Sequence, residues 1–236
     1  MIRIIPSEER YTADHGWLKT RHSFSFAEYY DPNHLNFGPL RVFNDDIVQP
    51  GKGFGMHPHA DMEIISYVID GVLEHRDSMG NQGLLRAGEI QRMTAGTGIF
   101  HSEYNHSQER PVHFLQIWFY PERRGLTPSW EQTSFPREAQ HNRLLPVVSG
   151  TPRDGALSIH QDVTVYLSQL DAGRSLRHEQ EDGRFMYLFL IKGRVKLSSK
   201  HTLKAGDTAR ITDLSRIEIE AEEDAHFMLM DLAPLD

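Results

Sequence analysis

The chain reads as short apolar runs separated by turn residues. It lacks the long 3.6-residue rhythm of amphipathic helices. Glu63 to Val68 (EIISYV) is rich in strand formers and runs out at Asp70-Gly71. Gly71 to Asp77 opens the next strand, and Met79-Gly80-Asn81-Gln82-Gly83 is turn chemistry. His113 to Tyr120 (HFLQIWFY) is aromatic, almost wholly apolar and stopped by Pro121, which predicts a buried strand. A short helix is expected near Pro128 to Gln132. Strands at this spacing predict an all-β fold, a sandwich or barrel.

The pattern also repeats. Leu84 to Thr94 (LLRAGEIQRMT) and Thr202 to Thr212 (TLKAGDTARIT) match at an offset of 118 residues (202 − 84). Val112-His113-Phe114-Leu115 leads to Pro121 as Ala225-His226-Phe227-Met228 leads to Pro234. Tyr67-Val68-Ile69-Asp70-Gly71 has its echo in Phe189-Leu190-Ile191-Lys192-Gly193. Three matches in one order predict two copies of one β domain. The stretch from Arg137 to Asp154, with Pro146, Gly150 and Pro152, has little periodicity. It divides the chain into residues 1–145 and 146–236.

Composition narrows the function. With 236 residues there is length for two cores, and 39% hydrophobic against 25% charged residues describes a globular chain. A formal net charge of −8 gives no electrostatic footprint for nucleic acid or for an anionic membrane surface. No run approaches the ~18 apolar residues of a membrane span. Met1 to Arg10 lacks the apolar core of a secretory leader, so a cytoplasmic location is expected. Cysteine is absent, which removes disulfides, zinc thiolates and iron–sulfur clusters.

Any metal must therefore use imidazole and carboxylate. His57-Pro58-His59 and His101-Ser102-Glu103 each place two such groups at i and i+2, on one face of a strand. Two such strands face to face would aim three imidazoles and one carboxylate at a point. Among 14 histidines a lone HxH arises readily by chance. The second cluster, and glycines at 51, 53, 55, 96 and 98 that permit turns and close approach, favour a metal site. Parity leaves a second carboxylate open, because His57, His59, Asp61 and Glu63 would share one face of a straight strand. Such ligands suit Fe, Cu, Ni, Mn or Zn. Moved by 118 residues, His101 and Glu103 fall on Ile219 and Ala221, and only His178 is a candidate counterpart of His57 or His59. The second copy is thus expected to be metal-free. His75, His106, His113 and His226 read as surface or satisfied polar residues, although His75 follows soon after the first cluster.

Gly51, His57-x-His59 and Glu63 match the first cupin motif, and Gly98, His101 and Asn105 match the end of the second. Gly71 comes one residue late, and Gly96 stands where a proline is frequent. Four longer stretches make the chain resemble the pirin family within the cupins, above all the short bacterial pirin-like quercetin 2,3-dioxygenases. They are His22 to Pro32 (HSFSFAEYYDP), Gly53 to His59 (GFGMHPH), Glu74 to Asn81 (EHRDSMGN) and Ala95 to Glu103 (AGTGIFHSE). The resemblance is strong over residues 12–130 and weak beyond.

It implies a bicupin whose N-terminal barrel alone holds one divalent transition metal. Fe(II) is the first expectation, with Cu, Mn, Ni, Co or Zn as alternatives. His57, His59, His101 and Glu103 are the implied ligands. Glu63 is then an outer residue that orients a ligand histidine, or a polar neighbour. The implied reaction joins a flavonol and O2, with Glu103 as general base and ring opening with release of carbon monoxide. Phe24, Phe26, Phe37 and Phe54 are candidates for an apolar pocket, and plain core packing is the competing reading for each. Some pirins resemble regulatory partners of transcription factors or metabolic enzymes, so a protein partner is the alternative. Two fused cupins can cover each other as a cupin dimer would, which predicts a monomer.

Overall fold

A computed structural model describes residues 1–235, and its strands form four sheets in two similar pairs. In the first barrel a seven-stranded sheet has Glu63–Asp70 between Glu89–Thr94 and Val112–Phe119. It faces a four-stranded sheet in the order Gly53–His59, Ile99–Asn105, Val72–Asp77, Gln82–Arg86. The second barrel repeats both arrangements. Phe185–Lys192 lies between Thr208–Ile211 and Ala225–Leu232, and the smaller sheet runs Ser175–Glu179, Arg216–Ala221, Arg194–Leu197, His201–Lys204. The internal repeat is therefore a repeat of whole barrels.

The barrels pack through their large sheets. Phe43, Tyr67, Leu115 and Ile117 of the first share one buried cluster with Val165, Tyr187, Phe189 and Met228 of the second. Alternation explains this: residues at odd and even positions of each central strand face the partner barrel or their own interior. Val112–Phe119 is the predicted buried strand, nearly covered along its length.

One expectation needs correction. Pro128 to Gln132 is not helical: Ser129–Ser134 is an edge strand paired with Glu89–Thr94, and it is held there by Trp130, whose Nε1 donates to Gln91 Oε1 at 2.9 Å. The short helix is Arg137–Gln140, between the barrels. The first strand crosses between the barrels. Ile2–Ile5 pairs with Thr208–Ile211, in the large sheet of the second barrel. Ser7 N donates to Asp207 Oδ1 (2.8 Å), and the buried Arg10 donates to the carbonyls of Gly206 (3.1 Å) and Arg21 (3.0 Å). The N-terminal segment thus ties one barrel to the other. No helix is long and apolar enough to cross a membrane, among the described residues.

Candidate metal centre

Gly53–His59 and Ile99–Asn105 pair antiparallel, with His101 opposite His57 and Ile99 opposite His59. Their approach is close: a side chain at Gly53 would run into the Glu103 carbonyl and the Tyr104 Cα. The register then slips. Glu103 sits opposite Phe54, so the histidine strand carries an extra residue across the ladder. Such a bulge twists the strand and re-aims its side chains.

Three imidazoles converge as a result. His101 Nε2 lies 3.0 Å from His57 Nε2 and 3.0 Å from His59 Nε2. Burial first, and neighbouring imidazoles second, push His59 and His101 down to about 3, so both rings are neutral at physiological pH. His57 Nδ1 donates to the Gly55 carbonyl at 2.7 Å, which turns its Nε2 toward the other two. Ring nitrogens this close need a shared proton or a cation between them. A metal about 2.0–2.1 Å from each nitrogen would hold adjacent ones about 3 Å apart, as the two His101 distances are. The donor set fits a transition metal.

Glu103 lies on the inner side of this group, where its carboxylate oxygen, His75 and His101 come within 4.8 Å of one another. Three side chains hold that carboxylate. Ser66 Oγ (2.9 Å) and Gln91 Nε2 (2.7 Å) donate to Oε1, and Gln116 Nε2 donates to Oε2 (2.6 Å). An ionised carboxylate has about four acceptor sites, so one remains. Sequence reasoning missed these three donors. The available signal was Gln116, the polar residue that interrupts the apolar run HFLQIWFY.

Glu63 is elsewhere. The chain leaves the histidine strand at Asp61, whose φ of 49° is left-handed, and the straight-strand parity argument ends there. Glu63 starts the next strand, in the other sheet. Its Oε2 accepts from Thr94 Oγ1 (3.0 Å) and from the backbone N–H of His160 (3.2 Å). The His160 bond is to the backbone, so no histidine side chain is involved, and Glu63 ties the first barrel to a loop of the second. Burial raises the pKa of its carboxyl.

His75 is the buried, paired alternative of its two readings and not the surface one. It is fully buried, stacked on Trp130 with centroids 5.3 Å apart, and 5.4 Å from the His101 ring. Its Nε2 meets Asp77 Oδ2 at 3.2 Å. His75 therefore packs behind the ligand-type histidine and helps to fix that ring.

A cavity opens beside the histidines. Phe26, Phe54 and Trp118 form its apolar walls, whereas Phe24 is sealed in the core and Phe37 packs on Phe185. Its polar side holds buried atoms without a protein partner: Asn44 Oδ1, Asp46 Oδ1 and Trp118 Nε1. Burial pushes Asp46 up to about 7. A ligand with hydroxyl groups would meet both needs of such a cavity.

Fold and site together define a bicupin with a histidine-rich, metal-type centre in one barrel. Residues 6–119 match the Pirin family model, and residues 146–232 match that of the quercetinase C-terminal cupin domain. The chain belongs to the pirin family. It is 44% identical to the quercetin 2,3-dioxygenase of Escherichia coli strain K12 over 235 residues, covering 100% of both chains. It is likewise 44% identical to a pirin-like protein of Caulobacter vibrioides, over 99% of this chain and 100% of that one. The crystal structure of the bacterial pirin YhhW of Escherichia coli in complex with nickel(II) superposes with a TM-score of 0.94 at 43% identity, over 100% of each chain.

Proposed function

We propose that this protein is a metal-dependent dioxygenase of flavonol-type substrates, with His57, His59, His101 and Glu103 as the metal ligands. The observation that carries the reading is the convergence of three imidazoles, with His101 Nε2 3.0 Å from both of the others, beside a partly apolar cavity with unpartnered polar atoms. The names of the relatives and the nickel complex support it. A divalent metal there supplies a Lewis-acid centre that acidifies a coordinated hydroxyl and a redox-capable site for O2. The protein's own residues do the rest.

Glu103, fixed by Ser66, Gln91 and Gln116, has one acceptor position for the metal or for the substrate's hydroxyl proton. That makes it the general base candidate. The cavity is about 60 Å³, room for O2 or water but not for a whole flavonol. The hydroxyl-bearing ring must therefore rest at the mouth, against Phe26 and Phe54. Trp118 and Phe26, at 5.3 Å edge to face, keep bulk water from that side.

The test is to load the protein anaerobically with Fe(II), Cu(II), Mn(II), Ni(II) or Co(II), then add quercetin and O2. Quercetin loss with carbon monoxide release is expected for at least one metal, and its absence with all five would refute the activity. Glu103→Ala should lose metal while Glu63→Ala keeps it; the opposite result would reassign the carboxylate ligand.

One observation favours the regulatory alternative. Met56, Phe100 and Tyr104 are exposed on the two strands that carry the histidines. Stoichiometric capture of a protein partner, lost on Phe100→Ser, together with negligible flavonol turnover, would select that reading.

A further inference from the structure

A second cavity, of about 360 Å³, lies between the barrels, away from the histidine centre. Tyr67 and His226 lie together in its lining, where Tyr67 Oη meets His226 Nε2 at 3.3 Å. Ile69, Ile191 and Phe135 give it apolar walls. Arg137 and Lys192 are the exposed cations of its lining, and neither forms a salt bridge among the described residues. No carboxylate lines it, although the chain carries a formal charge of −8. Asp45, behind His113, is already taken by that ring (2.6 Å) and by Arg10 (3.8 Å). The outer groove that shares both cations also holds Glu138, Asp171 and Asp224; Asp171 is held by His141 (2.9 Å) and Asn142 (2.8 Å), Asp224 accepts from Ala172 N (2.9 Å), and none of the three is within salt-bridge distance of Arg137 or Lys192.

Gln140 adds an independent observation. It is 1% exposed and lines the same cavity. Its Nε2 donates to the Phe135 carbonyl at 2.7 Å, and its Oε1 has no partner. A buried, unpaired acceptor in a cavity of ligand size asks for a donor from whatever binds there. Free cations ask for negative charge, and the walls ask for an apolar body.

We propose that this inter-barrel cavity is a binding site for a hydroxylated aromatic carboxylate. The carboxylate faces Arg137 and Lys192, the ring lies between Ile69, Ile191 and Phe135, and the hydroxyl donates to Gln140 Oε1. The site is separate from the metal centre: Ser66 and Gln116 point to the histidine side of the large sheet, whereas Tyr67 points to the partner barrel.

Isothermal titration of the metal-loaded protein with 4-hydroxybenzoate, at low ionic strength, tests this. Saturable one-to-one binding is expected. Benzoate should bind several-fold more weakly, and the uncharged 4-hydroxybenzamide about tenfold more weakly. The double variant Arg137→Gln, Lys192→Gln should lose roughly tenfold, as two partly exposed charge contacts would. Both residues are exposed, so the fold is spared. Ala87→Trp, at an exposed wall position, should block binding. His59→Ala should leave affinity unchanged. No saturation at millimolar ligand, equal affinity in the double variant, or loss of binding in His59→Ala would each overturn the proposal.

Discussion

The two barrels share one fold and differ in what fills it. Counting from the matched glycines Gly71 and Gly193, Ser66 corresponds to Leu188 and His75 to Leu197. The ladders extend the match. Ser66 pairs with Gln91 and Gln116, while Leu188 pairs with Ala209 and Leu229. Glu103 sits opposite His75, and Ile219 sits opposite Leu197. So Ser66, Gln91, Gln116 and Glu103 become Leu188, Ala209, Leu229 and Ile219. His101 opposite His57 becomes Ile217 opposite His178. The retained His178 meets Asp231 at 3.1 Å instead of a metal-type cluster. A cupin barrel closes equally well around a greasy core or a polar one. The polar version is maintained as a set, because each donor alone would be an unsatisfied buried group.

The largest expected effect separates the barrels outright. His59→Ala or His101→Ala should lower metal affinity by more than the ~10–100-fold that loss of an outer partner costs. His178→Ala should leave metal content unchanged, as measured by elemental analysis after dialysis. A drop in metal with His178→Ala would break the comparison.

The second prediction exchanges one matched pair. Leu229→Gln places an amide in the apolar second core and should destabilise by about 2–5 kcal/mol, with no change in metal binding. Gln116→Leu frees one oxygen of Glu103 and should cost about 1–3 kcal/mol of stability and weaken the metal site. Denaturant melts with metal titration check both. A metal effect confined to Gln116→Leu sharpens the contrast.

The smallest effect is a pH response of the metal-free protein. His22 is pushed down to about 4, and His59 and His101 to about 3. All three lie in the first barrel, where Asp46, raised to about 7, offsets one of them; the second barrel has one such histidine, His226, pushed down to about 4. A histidine whose folded pKa falls below the unfolded value loses stability as pH drops below about 6.5, by up to about 1.4 kcal/mol per pH unit for each group. In the second barrel the depressed Asp231 loses its contribution only below the usual carboxylate range. Hydrogen exchange at pH 5 against pH 7.5 should show more protection lost in Val112–Phe119 than in Ala225–Leu232, which carries His226. Equal losses would contradict the assignment.

Much of this was legible in the chain. The repeat is visible because turns of the Ala-Gly-acid type recur where both barrels need a left-handed glycine, as at Gly88 and Gly206. Its offset is not constant: 122 at Gly71 and Gly193 (193 − 71), 118 at Gly88 and Gly206, and 113 at His113 and His226. Intervening hairpins are shorter in the second copy. A fixed shift therefore put the counterparts of His101 and Glu103 at Ile219 and Ala221, whereas the ladders put them at Ile217 and Ile219. The histidine clusters were legible because strand parity is local. Glu63 was not, because one left-handed residue at Asp61 resets parity. His75 was hidden because burial depends on Trp130, an edge strand away in space and 55 residues away in sequence (130 − 75).

Ile2–Ile5 is made long before the strand it pairs with. Its partner is Thr208–Ile211, and Ser7 and Asp207 are 200 residues apart. Because domains fold as they leave the ribosome, the first barrel can close while this segment is still unpaired. The second barrel gains that edge strand only once Thr208–Ile211 exists. A chain cut before Thr208 would leave Ile2–Ile5 as an unpaired, apolar strand open to edge-to-edge association.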